Sequence, residues 1–200
     1  MNATPSRYGV VVLTAPSGAG KTTIARRVLA ACPTLKFSVS ATTRPPRDYE
    51  KEGIHYHFLS AAEFERRVDA GDFLEYEEVY PGCYYGTLLS EIERIGRVGT
   101  ALLDLDVRGA MRVKELLGDD ALVLFIRPPS MAALEDRLSN RGTESEDRLK
   151  VRLDRAKMEM GYASRCDHVV LNDDLETAVE ETLELIREFL AERNHATTDI

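Results

Sequence analysis

Two glycines and a lysine stand in the run Ala15-Pro16-Ser17-Gly18-Ala19-Gly20-Lys21-Thr22-Thr23, between the apolar stretch Gly9-Val10-Val11-Val12-Leu13-Thr14 and a segment of helical period. A strand, a glycine loop, Gly-Lys-Thr and a helix, in that order, are the context that makes a phosphate-binding loop specific. Gly18 and Gly20 let successive backbone N–H groups turn toward one anion. The open N–H groups and dipole of the next helix favour negative charge, and Lys21 brings a point charge to the β and γ phosphates. Thr22 is the expected Mg²⁺ ligand. One position departs from G-x-x-x-x-G-K-[ST]: its first glycine is here Ala15. The residue before a proline is already biased to extended backbone, where alanine is unstrained, so Pro16 removes much of the need for glycine there.

A second set of candidates lies in Ser38-Val39-Ser40-Ala41-Thr42-Thr43-Arg44-Pro45-Pro46-Arg47. Two arginines three residues apart, on a stretch stiffened by prolines, can clamp a phosphate monoester bidentately; taken alone they serve equally well as solvated surface charges. Arg137 and Arg141 lie four apart on one helical face, and Arg152 follows on the next helix, where charges are more often solvated.

The elements that must position these residues alternate between β-branched apolar runs and stretches of helical period, which predicts an α/β fold with a mostly parallel sheet flanked by helices. Strands are expected at residues 8–14, 100–105, 121–126 and 168–171, and helices at 21–31, 107–117, 130–140, 146–162 and 175–193. The last helix carries Leu175, Val179, Leu183, Ile186 and Leu190 on one face. Thr143 and Glu146 fit a capping box at the start of the helix before it. Residues 39–87 break the pattern, with short alternating stretches at 54–59 and 73–79, and read as an inserted α+β lobe.

With 200 residues, 44% hydrophobic and 30% charged, the chain is expected to fold as one soluble domain. The net charge of -8 argues against nucleic acid as a partner, so a cationic site must be local. No segment suggests a membrane span or a secretion signal. Cys32, Cys83 and Cys166 have neither zinc spacing nor a disulfide framework, which fits a reducing cytoplasm.

The segment from Ser38 to Arg47 resembles the nucleotide-monophosphate site of guanylate kinases, and the likeness continues in order over nearly the whole chain. Gly53-Ile54-His55-Tyr56-His57-Phe58 is similar to the next motif, which implies that Tyr56 contacts the GMP phosphate. Phe73-Leu74-Glu75-Tyr76 resembles the motif whose glutamate reads guanine, and Tyr84-Tyr85-Gly86-Thr87 the one that closes the site through Tyr85 and Thr87. In Leu103-Asp104-Leu105-Asp106-Val107-Arg108-Gly109-Ala110, the likeness puts Asp106 near GMP and Asp104 near the metal and its waters. It further implies a lid in which Arg137, Arg141 and Arg152 close over ATP, and an adenine contact from Asn172. One loop residue is extra around Pro81-Gly82-Cys83.

The organisation implied is a P-loop kinase core (1–38, 88–136 and 156–200), a GMP-binding lobe (39–87) and a short helical lid (137–155). The reaction implied is in-line transfer of the γ-phosphoryl group of Mg-ATP to GMP, and to dGMP, with Lys21, Arg44, Arg137, Arg141 and Arg152 as the catalytic cations. A monoester phosphate ionises near pH ~6, so no general base is required. The guanine preference has its own chemistry: a carboxylate at Glu75 accepts from N1–H and N2–H, and Ser40 donates to O6, groups that adenine lacks. Two rival readings are a kinase for another phosphorylated acceptor, disfavoured by Glu75 with Ser40, and a scaffold that binds phosphopeptides, disfavoured by Lys21, Thr22 and the lid arginines.

Overall fold

Strand β1 (Val10–Thr14) is buried along its whole length, and its side chains alternate between two cores. In the computed structural model, which describes residues 9–139 and 146–198, this strand is the centre of a five-stranded parallel sheet. The order is β2 (Leu35–Phe37), β7 (Thr100–Asp104), β1, β8 (Ala121–Arg127) and β9 (His168–Leu171). A parallel sheet is covered on both faces, which is why its strands read as unbroken apolar runs. Val11 and Leu13 pack with Ile24 and Val28 of α1 (Lys21–Ala31) and with Val179, Leu183 and Ile186 of α7 (Leu175–Thr198). Val10 and Val12 face Ile92 and Ile95 of α3 (Leu89–Gly96) and Ala110, Met111 and Val113 of α4 (Val107–Leu117). The predicted apolar face of α7 therefore closes one core, with Leu175 and Leu190 packed at its margin.

The inserted lobe forms its own sheet in the order β4 (His57–Phe58), β3 (Ala41–Thr42), β6 (Cys83–Leu88) and β5 (Phe73–Tyr80). Pairing is antiparallel except between β3 and β4. Helix α2 (Ala61–Asp69) covers it: Phe64 packs with Ala41 and Leu88 and stacks on Phe73 with centroids 4.4 Å apart. The Ser60 side chain accepts from Glu63 N–H and starts that helix. Helices α5 (Met131–Ser139) and α6 (Glu146–Met160) pack through Leu134, Leu138 and Ala156.

Sequence reading missed β2, β3, β6, α2 and α3. β2 is three residues long and two of them are exposed, so it has no periodic signal to find. The alternation over 54–59 yields only the two residues of β4, because residues 53–55 turn on hydrogen bonds from Ile54 N–H and His55 N–H to Lys51 O. Thr143 of the expected capping box lies outside the described residues. Among the described residues no helix is long and apolar enough to cross a membrane.

Candidate active site

The carboxyl ends of β1 and β7 open into a cleft of about 730 Å³, at the position where parallel α/β sheets hold ligands. The loop after β1 is built from local backbone bonds: Ala19 N–H donates to Pro16 O at 3.1 Å, and Thr23 and Ile24 N–H groups donate to Gly20 O. Gly20 begins α1 with φ 98° and no side-chain cap, and no acidic residue stands in the first turn. That leaves the amino end of α1 suited to an anion. The two glycines are required by geometry. A Cβ on Gly18 (φ +92°) would meet Leu138 Cδ2 at 2.7 Å, and one on Gly20 would collide with Asn172 Nδ2. Ala15 is buried, and no non-glycine residue among those described has positive φ.

Lys21 Nζ donates to Leu105 O at 2.6 Å and pairs with Asp104 Oδ1, which ties the loop to the end of β7. Thr22 and Thr23 are exposed at the start of α1 and line the cleft. Arg152 of α6 reaches across to donate to Ser17 Oγ at 2.8 Å. Asn172 is buried behind the loop, not beside it in the cleft; its Nδ2 donates to Ala19 O at 2.7 Å. Its own carbonyl accepts from Arg137 Nη2 at 3.0 Å. Neither Arg137 nor Asn172 lines the cleft, and Arg141 lies outside the described residues.

The lobe forms the opposite wall. Arg44 follows β3, donating from Nε to the Tyr85 hydroxyl at 3.2 Å and from Nη2 to Glu50 Oε1 at 2.8 Å, with its guanidinium 5.4 Å from the centre of the Tyr56 ring. Hydrogen bonding to Glu50 raises the Arg44 pKa and lowers that of Glu50, so both are charged throughout the physiological range. Glu50 Oε2 also accepts from Arg47 N–H at 2.8 Å, and the exposed Arg47 side chain reaches Tyr49. Burial raises the Tyr56 pKa, keeping its hydroxyl protonated.

Glu75 is turned inward by a bulge. Phe73 pairs with Leu88 and Glu75 with Thr87, so two residues of β5 oppose one step of β6, and Leu74 and Glu75 are both buried despite being neighbours. Thr87 Oγ1 donates to Glu75 Oε1 at 2.6 Å. Burial pushes the Glu75 carboxyl up to about 7; the Thr87 bond opposes this and the Asp106 charge adds to it. A second register shift, between Glu78 and Tyr80, precedes the Pro81–Gly82 turn, yet Glu75 still faces Thr87 and Glu77 still faces Tyr85. Ser40 is half-buried on the same wall. Asp106 caps α4, accepting at Oδ1 from Arg108 N–H (3.1 Å) and Gly109 N–H (2.9 Å).

The cleft thus brings together the phosphate loop, Ser40, Arg47, Tyr56, Glu75, Tyr85, Asp104, Asp106 and Arg152. Arg44 and Thr87 stand behind that lining and act on it through Tyr85 and Glu75. Three residues that sequence reasoning missed join them. Arg155 and Glu159 line the cleft, Arg155 donating from Nε to Glu159 Oε1 at 2.8 Å and standing 3.6 Å from Asp106 Oδ2; Glu50 orients Arg44. The spacing of Arg152, Arg155 and Glu159 by three and four was a readable sign of one helix face. Glu50 had no such sign. A larger groove of about 1490 Å³ runs along β5 and α4, but it has no phosphate loop and meets the cleft only at Glu75, Glu77 and Gly109.

A parallel sheet with a Gly-Lys-Thr loop at its central strand, facing an arginine-bearing inserted lobe, defines a P-loop kinase for small phosphorylated molecules. The guanylate kinase family model matches residues 7–189, and the chain belongs to that family. It is 61% identical over 182 residues to a guanylate kinase of Salinibacter ruber, covering 91% of this chain and 97% of that protein. It is 51% identical over 183 residues to one from Chlorobium luteolum, covering 91% and 92%. The crystal structure of guanylate kinase from Anaplasma phagocytophilum superposes with a TM-score of 0.72 at 30% identity, covering 90% of this chain and 85% of that one.

Proposed function

We propose that the cleft binds ATP on the phosphate loop and GMP against the inserted lobe, and that the chain moves the γ-phosphoryl group to a phosphate oxygen of GMP, giving ADP and GDP. The observation that carries this is Glu75: a carboxylate only 5% exposed, held by Thr87, in the same cleft as Lys21. An inward carboxylate has no use in binding phosphate and suits the paired N–H donors of guanine. Ser40 and Asp106 complete the base contacts. Arg44 and Arg47, with the Tyr56 and Tyr85 hydroxyls, take the acceptor phosphate.

On the donor side, the backbone from Ala15 to Thr23 cradles the triphosphate and Lys21 leaves Asp104 for the β and γ oxygens. Arg137, Arg141 and Arg152 offset the repulsion between the two phosphates as they approach. Asn172 contributes from behind, holding the loop carbonyl of Ala19. Residues 39–87 work as an acceptor lobe and 137–155 as a lid, closing on the core to exclude water. Mg²⁺ carried with ATP would neutralise charge on the phosphates during transfer. The residues suit it: the exposed Thr22 hydroxyl is a hard oxygen ligand, and the Asp104 carboxylate, paired with the adjacent Lys21 in the same cleft, would act through water. The three free cysteines fit a reducing cytoplasm.

A coupled assay of ADP release with GMP, dGMP, AMP, UMP and CMP tests the reading. Turnover is expected with GMP and dGMP, which share the guanine edge. Turnover confined to a non-guanine acceptor would overturn it.

A further inference from the structure

Gly109 is buried in the first turn of α4, a place where helices gain from any residue with a Cβ. Its backbone is helical, so no left-handed conformation calls for glycine. What calls for it is the neighbour. A Cβ built there would lie 3.0 Å from Glu75 Oε2, 3.6 Å from Glu75 Cδ and 3.5 Å from Asp106 Oδ1. The first contact is tighter than most methyl groups make, so the carboxylate must give by a few tenths of an ångström. Glu75 has little room to do so: the β5 bulge fixes its backbone, Thr87 Oγ1 holds its other oxygen at 2.6 Å, and 5% of the residue is accessible. Asp106 is fixed as well, through Gly109 N–H itself at 2.9 Å.

We infer that Gly109 is a positioning residue for guanine recognition: its missing side chain leaves the space in which the Glu75 carboxylate stands at the angle the purine edge requires. This rests on the reading of Glu75 as the guanine acceptor. A methyl group at 109 pushes Oε2 by a few tenths of an ångström and tilts the carboxylate away from one of its two donors. The loss falls on the 2-amino contact or on N1–H, and the donor loop is untouched.

The test uses Gly109→Ala, Glu75→Gln and Glu75→Asp in the full chain, reading KM for GMP, for ATP and for inosine monophosphate, which lacks the 2-amino group, together with Tm. Gly109→Ala is expected to raise KM for GMP about tenfold, the worth of one displaced hydrogen bond. KM for ATP should stay within about twofold, the preference for GMP over the inosine nucleotide should shrink, and Tm should hold or rise because alanine favours helix over glycine. In the double variant Gly109→Ala/Glu75→Asp the shorter carboxylate draws back from the methyl, so the added loss at 109 should disappear. If Glu75→Gln loses guanine preference while Gly109→Ala keeps wild-type values, the inference fails and the Glu75 reading stands. If Glu75→Gln changes nothing, both fail. A lowered Tm with equal loss for ATP and GMP would assign Gly109 to helix packing and overturn its positioning role.

Discussion

The two walls of the cleft solve opposite problems with opposite materials. The donor loop is mostly backbone: nine consecutive residues with two positive-φ glycines and short-range turns, to which Lys21 adds one charge and Asn172 one long-range prop. It grips what every nucleoside triphosphate shares. The acceptor wall is side chain, drawn from β3, the turn after it, β5, β6 and the start of α4, and each group is held by another: Arg44 by Glu50 and Tyr85, Glu75 by Thr87, Asp106 by the α4 amides. A generic anion site can be written in one short stretch and costs little stability. A base-selective site needs a buried carboxylate, whose desolvation the fold must carry.

If that division is right, damage to the donor wall should reach the chemical step and damage to the acceptor wall should reach selectivity. Lys21→Ala should give the largest effect, lowering kcat by about two to three orders of magnitude with KM for GMP little changed, as expected for a charge used on the transferring phosphate. Single-turnover kinetics would check it, and an unchanged rate would remove Lys21 from the transition state.

Glu75→Gln should come next, lowering kcat/KM for GMP by about 10² through loss of two charge-assisted bonds, while KM for ATP holds. The same change should stabilise the fold. A carboxyl whose pKa rises from 4.5 unfolded to about 7 folded favours the folded state only while protonated, so the wild type loses stability as pH climbs between those values. Above pH 7 the cost is full, on the order of 3 kcal/mol, and glutamine removes it. Thermal melts of both proteins at pH 5 and pH 8 would separate the two effects. A variant with no gain in Tm at pH 8 would mean that the ionised carboxylate is already compensated.

The same titration should appear in wild-type turnover. Only ionised Glu75 accepts from both guanine donors, so kcat/KM for GMP should fall about tenfold per unit as pH drops below 7. GMP's own phosphate titrates near pH ~6, so the profile is best read as the ratio of wild type to Glu75→Gln, which cancels that contribution. A flat ratio would place the charge requirement elsewhere, with Asp106 and Glu77 as the acidic groups whose charges bear on Glu75.

The same contrast explains what could be read without coordinates. The strands of the parallel sheet announced themselves because burial on both faces leaves continuous apolar runs, and the donor loop because its chemistry is contiguous. α2 was hidden in a stretch whose turns and aromatics obscured helical period, whereas α3 carries Leu89, Ile92 and Ile95 at every third position but over only eight residues. Glu75 was legible only through likeness to a known motif. Alone, it sits in Leu-Glu-Tyr-Glu-Glu, where alternation would send Leu74 inward and Glu75 out; the bulge that reverses this has no residue signature. Asn172 shows the converse, a residue found by its motif whose amide grips the loop backbone in the structure. Glu50, Arg155 and Glu159 become meaningful only once folding sets them beside Arg44 and Asp106.

Ala15 offers the smallest and sharpest probe of the donor wall. If the start of the loop acts through its backbone, restoring the usual glycine should change kcat and both KM values by less than about twofold, because Ala15 already has a negative φ and needs none of glycine's freedom. The methyl group is not idle, however. It is 6% exposed and belongs to the core of Val11, Leu13, Ile24 and Val28. Ala15→Gly removes that packing and adds backbone entropy to the unfolded chain, so it should lower stability by about 1 kcal/mol, visible in a denaturant titration. A large gain in turnover would mean instead that the methyl crowds the phosphates. The donor wall would then depend on side chains beyond Lys21, and the contrast with the acceptor wall would be one of degree.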